Sequence, residues 1–196
     1  MMKKEQKIKL VAILGSVSKD SFTRKALDIV LAELKNSHSL EVDILDPGRL
    51  TLAFPGQSEG RSVKDIKAKV AQATGIIIAT PEYHGSYSSV IKLIIENLGY
   101  PSVLAGKPVV LLGVASGQIG AIKALEHLRS VCAHIGAVVL PDVVSVAGVH
   151  KIFDDQGKCL DPKVDKRLRS LASVLLNYIL KHISPQKAFE ETIRNS

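Results

Sequence analysis

Three segments of the chain carry side chains suited to holding a phosphorylated ligand with a flat ring. The first runs from Gly15 to Thr23 and adds the hydroxyl groups of Ser16, Ser18 and Ser21. It lacks the GxxxxGK[ST] pattern of a nucleotide phosphate loop, and a dense set of hydroxyls with one glycine suits a phosphate monoester. The alternative is that these serines only turn the chain and cap a helix.

The second segment, TPEYHGSYS at residues 80–88, places charged and aromatic residues where a planar ring could lie against the backbone. In the alternative interpretation, Tyr83 and Tyr87 pack at a helix start and Glu82 pairs with a lysine.

The third segment, GVASGQIG at residues 113–120, is rich in small residues that let a flat group approach the backbone closely. It also matches a dinucleotide fingerprint loosely, with Asp142 as a candidate ribose-binding acid. That match would make the chain an NAD(P)-binding, dehydrogenase-like protein. The fingerprint normally follows the first strand, however, and here the first strand leads to the serine-rich segment.

The elements that must position these segments follow from hydrophobic periodicity, which alternates between strand and helix patterns. Two serines, Ser21 and Ser62, stand where helix N-caps are expected. The predicted strands are 8–14, 39–45, 75–79, 107–113 and 137–140, and the predicted helices are 21–35, 62–73, 87–98, 118–134 and 163–182.

Five strands alternating with five helices predict an α/β fold, a doubly wound parallel sheet with helices on both faces. The flavodoxin-like order 2-1-3-4-5 competes with the dinucleotide-binding order 3-2-1-4-5-6, and five strands favour the first. Ligands then bind beyond the carboxyl ends of the strands, between the loops after strands one and three. We predict one domain over residues 1–183 and a polar tail or short docked helix over 184–196.

Composition narrows the class of protein. Cys132 and Cys159 stand far apart and the six histidines are scattered, so neither a disulfide framework nor a metal site is expected, and a cytoplasmic location is favoured. The net charge of +7 is spread along the chain without interleaved aromatics, which argues against nucleic acid and favours phosphorylated cofactors. The apolar run after the basic start is too short for a signal peptide, and no run is long enough to span a membrane.

The order GSVSKDSFTRKAL and then ATPEYHGSYSSVIK resembles the NADPH-dependent FMN reductase family of the flavodoxin-like superfamily. That family includes FMN-dependent azoreductases and quinone and chromate reductases, and the resemblance extends from Ile8 to about Tyr178. It implies bound FMN, NADPH or NADH as electron donor, a small-molecule acceptor such as a flavin, quinone, azo compound or metal oxyanion, and a homodimer or homotetramer. It implies no acid or base catalyst, because the flavin carries the chemistry. The FMN-binding residues implied are Gly15, Ser16, Ser18, Ser21, Phe22, Thr23, Pro81, Glu82, Tyr83, His84, Gly85, Ser116 and Gly117.

The chain departs from the family pattern in both main loops. Ser18 stands where the family often has arginine, so the phosphate loses a fixed cation that Lys19 could replace less rigidly. Thr23 and His84 each replace an asparagine, and Ser88 begins a Ser-Ser pair where the family has Pro-Gly. A non-enzymatic flavodoxin-like electron carrier is the main alternative, although such carriers are usually acidic and this chain is basic. A family member reduced to a binding module is another.

Overall fold

The computed structural model describes residues 7–35, 40–186 and 193, and this part of the chain contains seven strands and five α-helices. The strands are β1 (Ile8–Leu14), β2 (Leu40–Leu45), β3 (Gly75–Tyr83), β4 (Ser86–Tyr87), β5 (Pro108–Val114), β6 (Val138–Val139) and β7 (Val144–Val146). The helices are α1 (Phe22–Leu34), α2 (Arg61–Gln72), α3 (Ser89–Asn97), α4 (Ile122–His134) and α5 (Pro162–Tyr178). Two 3₁₀ turns, Pro47–Arg49 and Val149–Lys151, and a π-helical turn, Ile179–Ile183, complete the described elements.

The sheet has the order β2-β1-β3-β5-β6, and all of these neighbours are parallel. β7 also pairs with β5 in parallel, while β4 pairs with β3 in antiparallel fashion. This confirms the doubly wound α/β class and the 2-1-3-4-5 path, with the fifth position shared by β6 and β7.

The predicted count of five strands is wrong at two places. The hairpin strand β4 was not predicted. Pro141, which has no N–H group for a strand ladder, follows the short β6, and a separate strand β7 then begins at Val144. The Arg129 guanidinium donates to the carbonyls of Leu140 and Pro141, at 3.1 and 3.2 Å, and so provides a hydrogen-bond donor for both carbonyls at this break in the strand.

The central strands are buried on both faces, which explains why they read as continuous apolar runs. Leu10, Ala12 and Leu14 of β1 face the core beneath α1 and α5. Val11 and Ile13 face the core beneath α2, α3 and α4. The layers therefore fix the carboxyl ends of β1, β3 and β5 side by side.

The start of α1 has the predicted cap, whereas the starts of α2 and α4 differ from the predictions. Ser21 does cap α1, since its hydroxyl accepts the Arg24 N–H at 3.3 Å. The cap predicted at Ser62 is wrong, because Gly60 precedes α2 and the Ser62 hydroxyl accepts the Thr51 N–H instead. α4 begins at Ile122 rather than at residue 118.

The remaining boundary concerns the end of the chain. Residues 184–186 are helical and follow the π-helical turn directly. The rest of the predicted tail, apart from Ile193, lies outside the described residues, so the division at residue 183 stays a prediction. Among the described residues, no helix is both long and apolar enough to span a membrane.

Candidate ligand-binding site

A pocket of about 260 Å³ opens at the carboxyl ends of β1, β3 and β5, where the three candidate segments meet. Nine of the thirteen residues predicted to bind a cofactor line it: Ser16, Ser18, Ser21, Phe22, Thr23, Pro81, Glu82, Tyr83 and Ser116. Four further lining residues were not singled out from the sequence: Asp20, Val114, Ala115 and Val149. The loops therefore converge as the strand order predicts, while the binding roles of their residues stay predictions.

Gly15 shapes the first loop without lining the pocket. Its N–H donates to the Ala79 carbonyl at 2.7 Å, which ties the end of β1 to β3. A Cβ at this position would lie 2.7 Å from Ile91 Cγ1 and 2.9 Å from the Ala79 carbonyl oxygen. Only glycine permits this approach, and the loop that follows can then turn toward the start of α1.

The start of α1 provides the polar floor of the pocket. The N–H groups of Phe22 and Thr23 lie in the first helical turn, where no carbonyl of the helix can accept them. Such N–H groups and the positive end of the helix dipole form a ready anion site. Ser16 is buried and its hydroxyl accepts the Ser18 N–H at 3.4 Å, which holds the serine loop around this floor.

The second segment is a β-hairpin, so the expectation of a simple loop after the third strand is wrong. β3 continues to Tyr83, and Tyr83 pairs with Ser86 across a two-residue turn formed by His84 and Gly85. Both turn residues have positive φ, +50° and +75°, as a type I′ turn requires. His84 and Gly85 therefore shape the turn, while Tyr83, 55 % exposed, lines the pocket.

Glu82 points to α4 rather than to a lysine. Its Oε2 accepts the Ala124 N–H at 3.4 Å, in the first turn of that helix. A carboxylate is favourable at this positive end of the helix dipole. Among the described residues, no ion pair involves Glu82.

The third segment, residues 113–120, is contacted by residues 148–150, which the sequence analysis did not single out. The His150 Nε2 lies 3.0 Å from the Ser116 hydroxyl, and the His150 ring packs edge-to-face on Phe22 at 4.9 Å. The Gly148 N–H donates to the Gly117 carbonyl at 3.0 Å, so Gly117 acts through its backbone and lies beside the pocket. Residues so distant along the chain offer no sequence signal for this contact, since His150 stands alone.

Asp142 does not line this pocket. It lies between β6 and β7, two residues before Val144, where β7 begins. The pocket therefore gives no support to the suggested role of Asp142 in binding a dinucleotide.

The two cysteines are free thiols, and Cys132 is completely buried. Burial raises the pKa of the Cys132 thiol to about 12, which leaves it un-ionised and unreactive near neutral pH. In the described ranges, no group of three or more His, Cys, Asp or Glu residues is placed to hold a metal ion.

The residues present fit a phosphorylated flavin. Hydroxyls and first-turn amides suit its phosphate, and the small, apolar wall of Val114 and Ala115 suits a flat ring.

Comparisons with known proteins agree with this fit. The family model of NADPH-dependent FMN reductases matches residues 8–151. The chain is 34 % identical over 138 residues to a 2-hydroxy-1,4-benzoquinone reductase of Burkholderia sp., covering 68 % of this chain and 74 % of that protein. It is 28 % identical over 184 residues to an NADPH azoreductase of Bacillus sp. strain OY1-2, covering 93 % of this chain and all of that protein.

A solved structure shows the same architecture. FerB, a flavoenzyme NAD(P)H:(acceptor) oxidoreductase from Paracoccus denitrificans, superposes with a TM-score of 0.73 at 28 % identity. The match covers 89 % of this chain and 98 % of FerB. This chain therefore belongs to the NADPH-dependent FMN reductase family and is an FMN-dependent NAD(P)H oxidoreductase with a flavodoxin-like fold.

Proposed function

We propose that this protein holds FMN in the pocket between the three loops and passes electrons from NAD(P)H to a quinone or azo compound. The observation that supports this placement is the convergence of nine predicted residues on one pocket at the carboxyl ends of β1, β3 and β5. Relatives named as benzoquinone reductase and azoreductase support the acceptor class.

The chain's own residues would act by binding and orientation. The amides of Phe22 and Thr23 and the hydroxyls around them would hold the phosphate, and Pro81, Tyr83 and Ala115 would border the ring. When bound, FMN supplies the capacity to accept a hydride and to pass electrons on. The protein then contributes by positioning the reactants, because holding reacting groups in the correct geometry accounts for a large part of the rate increase.

We further propose a cytoplasmic homodimer or homotetramer. The exposed apolar side chains of Tyr83, Ile119 and Ile122 support a subunit contact beside the pocket, since such side chains gain by burial. The two free thiols support a reducing compartment. Light scattering on the purified protein tests the assembly, and a monomer at micromolar concentration would contradict it.

The spectrum of the purified protein tests the function. We expect flavin absorption bands that bleach when NADPH is added without oxygen and return when a quinone follows. A yellow protein that NADPH and NADH both fail to reduce would instead be an electron carrier. A protein that retains no flavin after incubation with excess FMN would contradict the proposed site.

A matched pair of substitutions locates the flavin. Ser116→Trp places an indole in the pocket, and we expect it to lower FMN affinity at least tenfold. Gln118→Trp adds the same group to the same exposed loop outside the pocket lining, and we expect it to change affinity less than twofold. Equal effects of the two substitutions would contradict the placement.

A further inference from the structure

The pocket is acidic although the chain is basic. The charged side chains that line it, among the described residues, are those of Asp20 and Glu82, while the whole chain carries +7. The Glu82 carboxylate lies at the first turn of α4. Asp20 is exposed and directly precedes Ser21, the cap of α1, so it stands beside the amides that would receive a phosphate.

Two cations that follow the serine loop along the chain, Arg24 and Lys25, are engaged elsewhere. The Arg24 guanidinium pairs with Asp28 at 2.8 Å and with Asp46 at 3.7 Å. The Lys25 Nζ lies 5.0 Å from the centroid of the Phe22 ring and donates to the Asp154 carbonyl at 3.1 Å. Neither residue lines the pocket.

Two exposed positions remain to set the charge at this end of the pocket. Ser18 lines it with a neutral hydroxyl where an arginine side chain would carry a fixed positive charge. Lys19 is exposed and its side chain does not line the pocket, so it supplies no cation at the position where a phosphate would lie. A phosphate here would gain hydroxyl and amide hydrogen bonds without a charge-assisted partner, and charged partners make the stronger bonds.

We propose that this pocket discriminates little between FMN and riboflavin, with Ser18 and Asp20 as the positions that determine its selectivity for the phosphate. The proposal rests on the proposed function, because it concerns the same flavin site. The two flavins share ring and ribityl chain and differ only in the phosphate, so their relative affinity reports on this end of the pocket alone.

Competition dialysis measures the selectivity directly. The purified protein is equilibrated with equal concentrations of FMN and riboflavin, and the bound flavins are separated and quantified. We expect a ratio of bound FMN to bound riboflavin below about ten. A ratio above about one hundred would overturn the proposal and leave the flavin site intact, whereas retention of neither flavin would overturn the proposed function as well.

Substitutions assign the effect to residues. Ser18→Arg supplies a charge-assisted partner, and we expect it to raise the ratio about ten- to a hundredfold, mainly by tightening FMN. Asp20→Asn removes a nearby negative charge and is expected to raise the ratio about three- to tenfold. Both substitutions should change the affinity for FMN more than the affinity for riboflavin.

Two controls complete the test. Asp142→Asn removes the same charge from an exposed residue outside the pocket lining and should leave the ratio unchanged. Lys19→Gln asks whether Lys19 already serves the phosphate, and a tenfold fall in the ratio would overturn the proposal. A ratio that stays constant in both Ser18→Arg and Asp20→Asn, with folding verified by melting temperature, would also overturn it.

Discussion

His84 adopts a conformation that asparagine and glycine accept more readily than histidine does. Its φ of +50° is imposed by the turn that joins β3 and β4. His84→Asn should therefore raise the free energy of unfolding by about 0.5 kcal/mol, and His84→Val should lower it by about 1–2 kcal/mol. Urea unfolding of the three proteins checks this order, and a stabilising valine would contradict it.

Ser88 joins three elements through one buried side chain. Its hydroxyl donates to the Gly15 carbonyl at 2.7 Å and accepts the Ile91 N–H at 3.3 Å, and its own N–H donates to the Thr80 hydroxyl. Ser88→Ala removes the cap of α3 and leaves a buried carbonyl without this donor, so unfolding should become easier by about 1–3 kcal/mol. The exposed neighbour offers the control, since Ser89→Ala should change stability by less than about 0.5 kcal/mol.

Cys132 predicts a pH dependence of stability in alkaline solution. Burial raises the pKa of its thiol to about 12, whereas an unfolded chain has a cysteine pKa of about 8.5. Between these values the unfolded chain loses the proton that the folded chain keeps, so stability falls as the pH rises. From pH 9 to 11 the natural chain should lose up to about 1.4 kcal/mol per pH unit more than Cys132→Ala does. Parallel curves of unfolding free energy against pH would contradict this prediction.

The end of β1 illustrates how closely the elements around the site approach one another. Because a Cβ on Gly15 would meet Ile91 and a carbonyl of β3 at under 3 Å, Gly15→Ala should destabilise the protein by about 1–3 kcal/mol. Gly117→Ala is the matched change, since a Cβ there has no neighbour within 4 Å. We expect thermal unfolding to separate the two variants clearly, and equal melting temperatures would contradict this account.

At the scale of elements, the sequence predicted the central strands better than the turns and helix starts that connect them. The central strands were predicted because short, continuous apolar runs between turn residues are typical of strands buried on both faces, and the bounds of β1 agree with the structure. The β3–β4 hairpin was missed because histidine in place of asparagine weakens the turn signal that its partner Gly85 supplies. The start of α4 was missed because Ser145 accepts the Ala121 N–H at 2.8 Å, a contact that no local pattern encodes.

The same limit applies to the candidate site. Residues near the carboxyl ends of strands, such as Ser16 after β1 and Pro81 late in β3, could be predicted because parallel strands bring their carboxyl ends together. Val149 and His150 reach the site only through the chain's return after β7, and long-range packing of that kind has no periodicity to read.

For the whole molecule, flavin binding and folding are linked. A ligand that binds only the folded chain stabilises it by about 2.7 kcal/mol at a concentration of a hundred times its dissociation constant. In a chain of 196 residues this corresponds to a rise of about 5–10 °C in melting temperature. Differential scanning fluorimetry with increasing FMN should show this rise, while adenosine monophosphate, which presents a phosphate without the flavin ring, should give less than about 2 °C. Equal shifts with both ligands would argue against a site built for a flavin.

The division of the sheet's last position between β6 and β7 has a consequence for the protein at high concentration. An outermost strand with a long row of free backbone groups can recruit another chain and start aggregation. Here that border consists of one stretch of two residues and one of three, interrupted at Pro141 and covered there by Arg129. A foreign strand would find too few consecutive partners on this side to align, so the interruption disfavours pairing of another chain with this edge of the sheet.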